Sequence, residues 1–183
     1  MTRSNKWAWG FIAVFLAILA VSIATFQRPY VRVTEEYRDD EYGFSIFYPE
    51  SWEVRHDVGE AVVAFLSPRE EPSDETREGA MVVVIDVEED TVLDDSVMQE
   101  LYDGMQELGT DFGILESGRV RINGLDARRV VCTLRQDPRV SQYLIYVFAK
   151  GERLYLVTSV AHPMSYDRYE AVFEKISYSM EIH

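Results

Sequence analysis

Five carboxylates fall within eight residues near the middle of the chain. This segment is a candidate metal-binding site. The five are Glu88, Glu89, Asp90, Asp94 and Asp95. Oxygen ligands of this kind could hold a divalent cation, although the segment lacks the glycine turn of an EF-hand loop. The alternative is structural: Asp94 and Asp95 would cap the helix that follows them and favour its positive end.

Six arginines in the second half of the chain could form a basic patch that docks an acidic partner. They are Arg119, Arg121, Arg128, Arg129, Arg135 and Arg139. On strands, Arg119 and Arg121 face one way, whereas adjacent arginines such as 128 and 129 face opposite ways. The alternative is that the arginines pair internally with the excess acid and leave a mostly acidic surface.

The other residue types that could act in catalysis or bind a metal are isolated. His56, His162 and His183 form no H-x-x-x-H or H-E-x-x-H arrangement. His162 precedes a proline at a strand-to-helix junction, where its ring could face a cleft. Cys132 lies in an apolar strand, which favours a buried, inert thiol. The sequence has no G-x-S-x-G motif and no glycine-rich phosphate loop, so it marks out no catalytic set and no cofactor site.

The distribution of charge restricts the class of partner. The 183 residues carry a net charge of −14, and residues 29–183 alone carry −17. Residues 35–116 carry −21, whereas residues 117–183 carry +3. This balance argues against nucleic acid as a partner, because nucleic-acid binding depends on cationic contacts to phosphate. It also argues against docking on anionic lipid through a polybasic patch.

The amino-terminal segment has the composition of a membrane span. Trp7 to Phe26 is a 20-residue stretch without a charged side chain, and as a helix it would reach about 30 Å. Two interpretations compete for residues 1–27: an uncleaved anchor, which the length favours, and a cleaved signal peptide with Ser22-Ile23-Ala24 as its cleavage site. A short basic tail before the apolar run is the usual shape of an export signal. We therefore expect a single-pass cell-membrane protein with its domain on the extracytoplasmic side.

The elements that must position the candidate residues follow a charged tether, predicted at residues 28–41. Over residues 42–183, alternating apolar residues predict several strands, then a helix, then a run of hairpin-connected strands, then a second helix. The order indicates an α+β domain with a central antiparallel sheet flanked by helices.

Local signals place the helices and the tightest turns. Val97, Leu101, Met105 and Leu108 recur at helical spacing, with cap candidates at residues 94–96, and Ser96-x-x-Gln99 fits a capping box. Gly109 is placed to end this helix. Asn123-Gly124 and Lys150-Gly151-Glu152 predict hairpin turns. The last helix is predicted from Ser165 to Met180.

Four segments together resemble the PsbP-like superfamily, which includes PsbP, Mog, DcrB and LpqN-type exported proteins. They are Tyr42-Gly-Phe-Ser-Ile-Phe-Tyr-Pro-Glu-Ser-Trp52, Phe65-Leu-Ser-Pro68, the hairpin from Lys150 to Val160, and the helical segment from Tyr166 to Met180. The resemblance covers about residues 40–181 and implies a PsbP-like sandwich. The superfamily shares no catalytic set, so the resemblance implies neither a catalytic residue nor a cofactor.

These observations predict a non-catalytic, membrane-tethered accessory or binding protein that contacts a membrane complex or an envelope protein. Its membrane contact would be the N-terminal helix, and nucleic acid is not expected as a partner. The alternative is a protein that binds a small ligand or a divalent cation through the loops around residues 88–95 and His162. An enzymatic function is supported only by the general abundance of carboxylates.

Overall fold

The computed structural model describes residues 31–69, 77–89 and 91–183. The predicted anchor at residues 1–27 lies outside these ranges, as does Asp90. No helix within the described ranges is long and apolar enough to cross a membrane. The transmembrane segment therefore stays a prediction from the sequence.

The described residues form ten strands and two helices. In chain order they are β1 (Val33–Asp39), β2 (Phe44–Pro49), β3 (Glu53–Arg55), β4 (Val63–Leu66), β5 (Gly79–Asp86), α1 (Asp95–Glu107), β6 (Thr110–Ile122), β7 (Leu125–Gln136), β8 (Arg139–Lys150), β9 (Arg153–Ala161), α2 (Tyr166–Tyr178) and β10 (Glu181–Ile182). Both predicted helices are confirmed to within a few residues.

The strands form two antiparallel sheets. The larger sheet has seven strands in the order β3-β4-β5-β9-β8-β7-β6, and the smaller has the order β1-β2-β10. Strands β6 to β9 are joined by successive hairpins. Asn123 and Gly124 both have positive φ, at 50° and 84°, as the predicted turn between β6 and β7 requires. The α+β class with antiparallel sheets and two helices is thereby confirmed.

The seven-stranded sheet buries apolar side chains on both faces. On one face, here called the α2 face, α2 and the small sheet cover a core that includes Phe44, Tyr146 and Phe173. On the other, the α1 face, Met98 of α1 belongs to a second cluster. That cluster also contains Val130, Cys132, Ile145, Val147, Leu154 and Leu156. Each fully buried aliphatic or phenylalanine side chain contributes about 1.5–3 kcal/mol to folding, so both layers stabilise the domain.

The tether predicted at residues 28–41 is wrong for the part that forms β1. Residues 33–39 pair antiparallel with β2, from Val33 opposite Pro49 to Asp39 opposite Phe44. Four of the seven side chains of β1 are charged and four are exposed, which is why the segment does not show the alternating pattern of a strand. Only a few of its side chains, Tyr37 among them, pack against the core.

The N-cap of helix α1 lies two residues before the serine of the predicted capping box. Asp94 is the N-cap, and its carboxylate accepts hydrogen bonds from the backbone N–H groups of Ser96 and Val97. The Ser96 hydroxyl also donates to Asp94, and these bonds hold the pKa of Asp94 below its usual value. The prediction of a capping box between Ser96 and Gln99 is therefore wrong, because the Gln99 side chain donates to Asp103 instead.

Gly109 follows α1 as predicted, but for a different reason. The C-cap is Leu108 in the right-handed helical region, so no left-handed glycine ends the helix. A Cβ at Gly109 would collide with the carbonyl oxygen of Arg135. Glycine is needed here because the chain passes close to the end of β7.

A buried carboxylate joins three elements at one end of the domain. Glu78, which immediately precedes β5, is only 7% exposed. Its carboxylate accepts hydrogen bonds from Ser67 Oγ at 3.2 Å and from Ser165 Oγ at 2.8 Å. Ser165 is the N-cap of α2, and its side chain makes no capping bond within the helix. Glu78 therefore ties the end of β4 and the start of β5 to the first turn of α2.

We expect Glu78→Ala to lower the free energy of unfolding by about 1–3 kcal/mol, because the buried Ser67 hydroxyl loses its bond to Glu78 and the bond between Ser165 and Glu78 is removed. Urea denaturation followed by tryptophan fluorescence measures the loss. Glu78→Gln retains one acceptor oxygen and should cost less. The exposed Glu35 supplies the control, since Glu35→Ala removes the same charge without removing a buried bond. Equal stabilities for the variants at 78 and 35 would contradict the role of Glu78.

Cys132 lies on the α1 face of β7 and is fully buried. Burial raises the pKa of its thiol from 9.0 to about 11. A thiol is inert when it is protonated and inaccessible, since the thiolate is the reactive form.

The raised pKa of Cys132 predicts a pH dependence of stability. Because the folded-state pKa exceeds the unfolded value, the stabilising contribution is complete below about pH 9 and is lost as the pH rises towards 11. The difference in unfolding free energy between the wild type and Cys132→Ala should therefore be constant up to pH 9 and narrow from there to pH 11. The tyrosines titrate in both proteins, so their contributions cancel in this difference. A difference that stays constant to pH 11 would show that the thiol pKa is not raised.

Candidate partner-binding site

The two sets of charged residues that the sequence singles out meet on the α1 face. Arg128 of β7 lies 2.7 Å from Asp95 of α1, measured from Nη2 to Oδ1. Its Nε donates to the carbonyl oxygen of Leu93 at 2.9 Å. The Arg128 side chain is only 13% exposed. Arg128 therefore fixes the segment before α1 against the sheet rather than offering its charge to a partner.

An open cavity of about 630 Å³ lies beside this ion pair, between the segment before α1 and the hairpin that joins β6 to β7. It is lined by residues 91–93, 119–120, 124–128 and Ala149, and we call it the hairpin groove. Val92 is 71% exposed at its rim. The groove therefore combines exposed apolar surface with charged side chains.

The exposed charged residues that line the hairpin groove are Asp126 and Arg119, and Arg119 is the cation. It is exposed, and no hydrogen bond or ion pair engages it within the part of the chain that the structure describes. It lies opposite Arg128 in the register of β6 and β7. Arg121, two residues on, donates to the carbonyl oxygen of Gly124 in its own hairpin at 3.1 and 3.2 Å. The register places both β6 arginines on the α1 face, as the strand period predicts.

The other arginines do not join these two in one basic patch. Arg135 pairs with Asp111 at 2.9 Å, near the start of β6. Arg139, at the start of β8, also has an interaction partner. Arg129 points to the opposite face from Arg128. The six arginines are therefore distributed over both faces, and internal pairing accounts for much of their charge.

Arg129 lies at the centre of an acidic cluster between β7 and α2. It contacts Glu116 at 2.8 Å, Glu174 at 3.0 Å and Glu170 at 3.6 Å. Burial lowers the pKa of Arg129, but hydrogen bonds to Glu116 and Glu174 outweigh that effect and raise it. Glu174 also accepts a 2.6 Å bond from the Tyr146 hydroxyl. Sequence reasoning missed this cluster because its members are far apart in the chain.

The predicted acidic segment divides between helix capping and solvent exposure. Asp94 caps α1 and Asp95 pairs with Arg128, while Glu88 and Glu89 are exposed. Asp90 is not among the described residues. Within the described ranges, no group of three histidine, cysteine, aspartate or glutamate side chains could hold a metal ion.

The three histidines make separate local contacts. His56 Nδ1 lies 3.1 Å from the Val62 carbonyl oxygen, and His183 Nε2 lies 3.2 Å from Ser45 Oγ. His162 Nδ1 accepts from the backbone N–H of Met164 at 3.2 Å. His162 also lines a cavity of about 240 Å³ together with Arg77 and Arg139, so it does face a small cleft.

Solved structures with the same fold come from several bacteria. The solution structure of cyanobacterial PsbP (CyanoP) from Synechocystis sp. PCC 6803 superposes with a TM-score of 0.64 at 14% identity, over 85% of this chain and 96% of that one. LpqN of Mycobacterium tuberculosis, described as involved in cell envelope biogenesis, gives 0.59 at 11% identity, over 81% and 90%. PA94 of Pseudomonas aeruginosa, a protein of unknown function described as a putative regulator, gives 0.58 at 14%, over 81% and 96%. At these identities the likeness shows the fold alone.

The family comparison covers almost the whole chain. The model of the family described as PsbP-like protein matches residues 24–182, whereas no curated protein matches the sequence. PsbP-like proteins are in general non-enzymatic accessory proteins. The resemblance seen in the sequence is confirmed, and the chain belongs to the PsbP-like protein family.

Proposed function

We propose that this protein is a membrane-tethered accessory protein whose domain lies on the extracytoplasmic side of the cell membrane and binds a protein partner through the hairpin groove. The observation that carries the proposal is the exposed apolar rim at Val92 beside the guanidinium of Arg119, which has no partner among the described residues. Burying both against a partner would remove apolar surface from water and supply a countercharge. The partner would belong to a membrane complex or to the envelope.

The amino-terminal sequence supports the tether. The apolar stretch from Trp7 to Phe26 lies almost entirely before residue 24, where the match to the family model begins. A span of this length and composition suits a bilayer. LpqN, which shares the fold, is described as involved in cell envelope biogenesis, and this supports an envelope location for the domain.

A small anionic ligand is the second candidate for the groove. A cavity of about 630 Å³ lies within the range of small-molecule sites, and Arg119 would bind the anion. We favour the protein partner because such ligands are usually enclosed, whereas the groove is open and Val92 projects at its rim.

The tether and its orientation are tested with the full chain fused after His183 to alkaline phosphatase, which is active only outside the cytoplasm. We expect an active fusion that stays in the membrane fraction after an alkaline carbonate wash. A fusion that is well expressed but inactive would contradict the orientation. An active fusion released by carbonate would contradict the tether.

The groove is tested by placing a photo-crosslinking residue at position 92, at position 119 or at the control position Met164, which is 91% exposed. We expect one and the same protein to be crosslinked from 92 and 119 and not from 164. The pair Val92→Ser with Arg119→Gln should reduce its recovery with the native chain by about tenfold or more, whereas Met164→Ser with Arg55→Gln should not. Recovery that is equal for the two pairs would contradict the groove as the binding site, and so would a small anion that protects Arg119 while no protein is crosslinked.

A further inference from the structure

The seven-stranded sheet ends at β6, and the outer side of this strand has no partner strand among the described residues. In an edge strand, every second residue directs its backbone N–H and C=O away from the sheet. Such a row is a template for another extended chain. The strand runs from Thr110 to Ile122, so the exposed edge is long.

The two halves of β6 differ in how well they could accept another strand. Register shifts interrupt the first half, between Thr110 and Gly113 and between Ile114 and Glu116. Bulges of this kind commonly protect an edge, since they twist it away from regular pairing. From Glu116 to Ile122, in contrast, the pairing with β7 is continuous. Seven residues extend for about 24 Å, which is enough to pair a strand of ordinary length.

The charges along this regular half have one sign on the α1 face. Arg119 and Arg121 lie there two residues apart; the first has no partner within the described chain, and the second donates to a carbonyl of its own hairpin. Glu116 points to the other face, where it pairs with Arg129. An incoming strand would therefore meet two neighbouring guanidinium groups on the α1 face.

We infer that the β6 edge, residues 116–122, docks an extended acidic segment of a protein partner as an eighth strand of the sheet. Carboxylates at alternate positions of that segment would lie across from Arg119 and Arg121. Opposite charges on adjacent strands stabilise the pairing of those strands. The inference rests on the proposed function and specifies the chemistry of the partner and its mode of binding.

A second copy of the chain fits this edge less well. Full antiparallel overlap of residues 116–122 with the same segment of another copy would set Arg119 opposite Arg119. Like charges directly opposite each other destabilise a strand pair. The charge pattern therefore favours an acidic segment over self-association.

The test uses the detergent-solubilised full chain and a fluorescent eight-residue peptide of alternating Glu and Val. Two further versions of the peptide carry N-methyl groups at alternate residues. They differ in which of the two sets of alternate residues, or frames, is methylated. Only one frame directs its N–H groups towards β6. We therefore expect one N-methylated peptide to bind about tenfold or more weakly than the parent peptide and the other to bind nearly as well.

Charge variants separate strand addition on β6 from attraction to the domain as a whole. Arg119→Gln with Arg121→Gln should weaken binding of the parent peptide by about tenfold. The matched pair Arg38→Gln with Arg55→Gln removes two exposed, ion-paired arginines from β1 and β3 and should not weaken it. An equal loss of peptide affinity in the two double variants, or equal affinity of all three peptides for the wild type, would overturn the inference.

Three further outcomes are decisive. A dimer of the full chain that is crosslinked through position 117 of both copies would assign the edge to a second copy and overturn the inference. If a protein is still crosslinked from Val92 while the peptide fails to bind, strand addition is wrong and the proposed function stands. If nothing is crosslinked from the groove but the peptide binds in the frame-dependent manner, the edge is a strand-docking site and the proposed use of the groove is wrong.

Discussion

The seven-stranded sheet carries apolar side chains on both of its faces, so each face has to be covered. Strand β8 shows why: Tyr146 and Phe148 point to one core, while Ile145 and Val147 point to the other. A strand of alternating apolar and polar residues would need only one layer, but this continuous run needs two. Helix α1 covers one face, and α2 with the small sheet covers the other.

Two adjacent arginines of β7 fix the two layers with respect to the sheet. Arg128 contacts Asp95 in the first turn of α1, and Arg129 contacts Glu174 in α2. Because successive side chains of a strand point to opposite faces, one dipeptide can hold both helices. The neighbouring strand β6 carries Arg119 opposite Arg128 and Arg121 opposite Asp126, both on the α1 face. Arginines that are alike in sequence thus divide into structural ones at 128 and 129 and an available one at 119, while Arg121 bonds within its own hairpin.

The sequence predicts what depends on near neighbours and fails where distant segments meet. The Asn123-Gly124 turn and the apolar spacing of both helices are local signals, and the structure has them where they were expected. Strand β1 is not predicted, because its pairing with β2 is made by backbone hydrogen bonds and most of its side chains are charged. The contact between Arg129 and Glu174 is not predicted either, because 45 residues separate the two in the chain. The arginines and the acidic segment are thus identified in the sequence, whereas their partners and the exposed Val92 are seen only in the structure.

The small sheet gives the domain a particular response to mechanical force. Strands β1 and β10 both run antiparallel to β2; Val33 lies opposite Pro49, and Ile182 lies opposite Phe44, near the other end of β2. A pull between residues 33 and 182 therefore drives β1 and β10 along β2 in opposite directions. The hydrogen bonds of the sheet then resist together in shear instead of opening one after another. Because Phe44 and Ile182 both belong to the core of the α2 face, that part of the core stays covered for as long as these bonds hold.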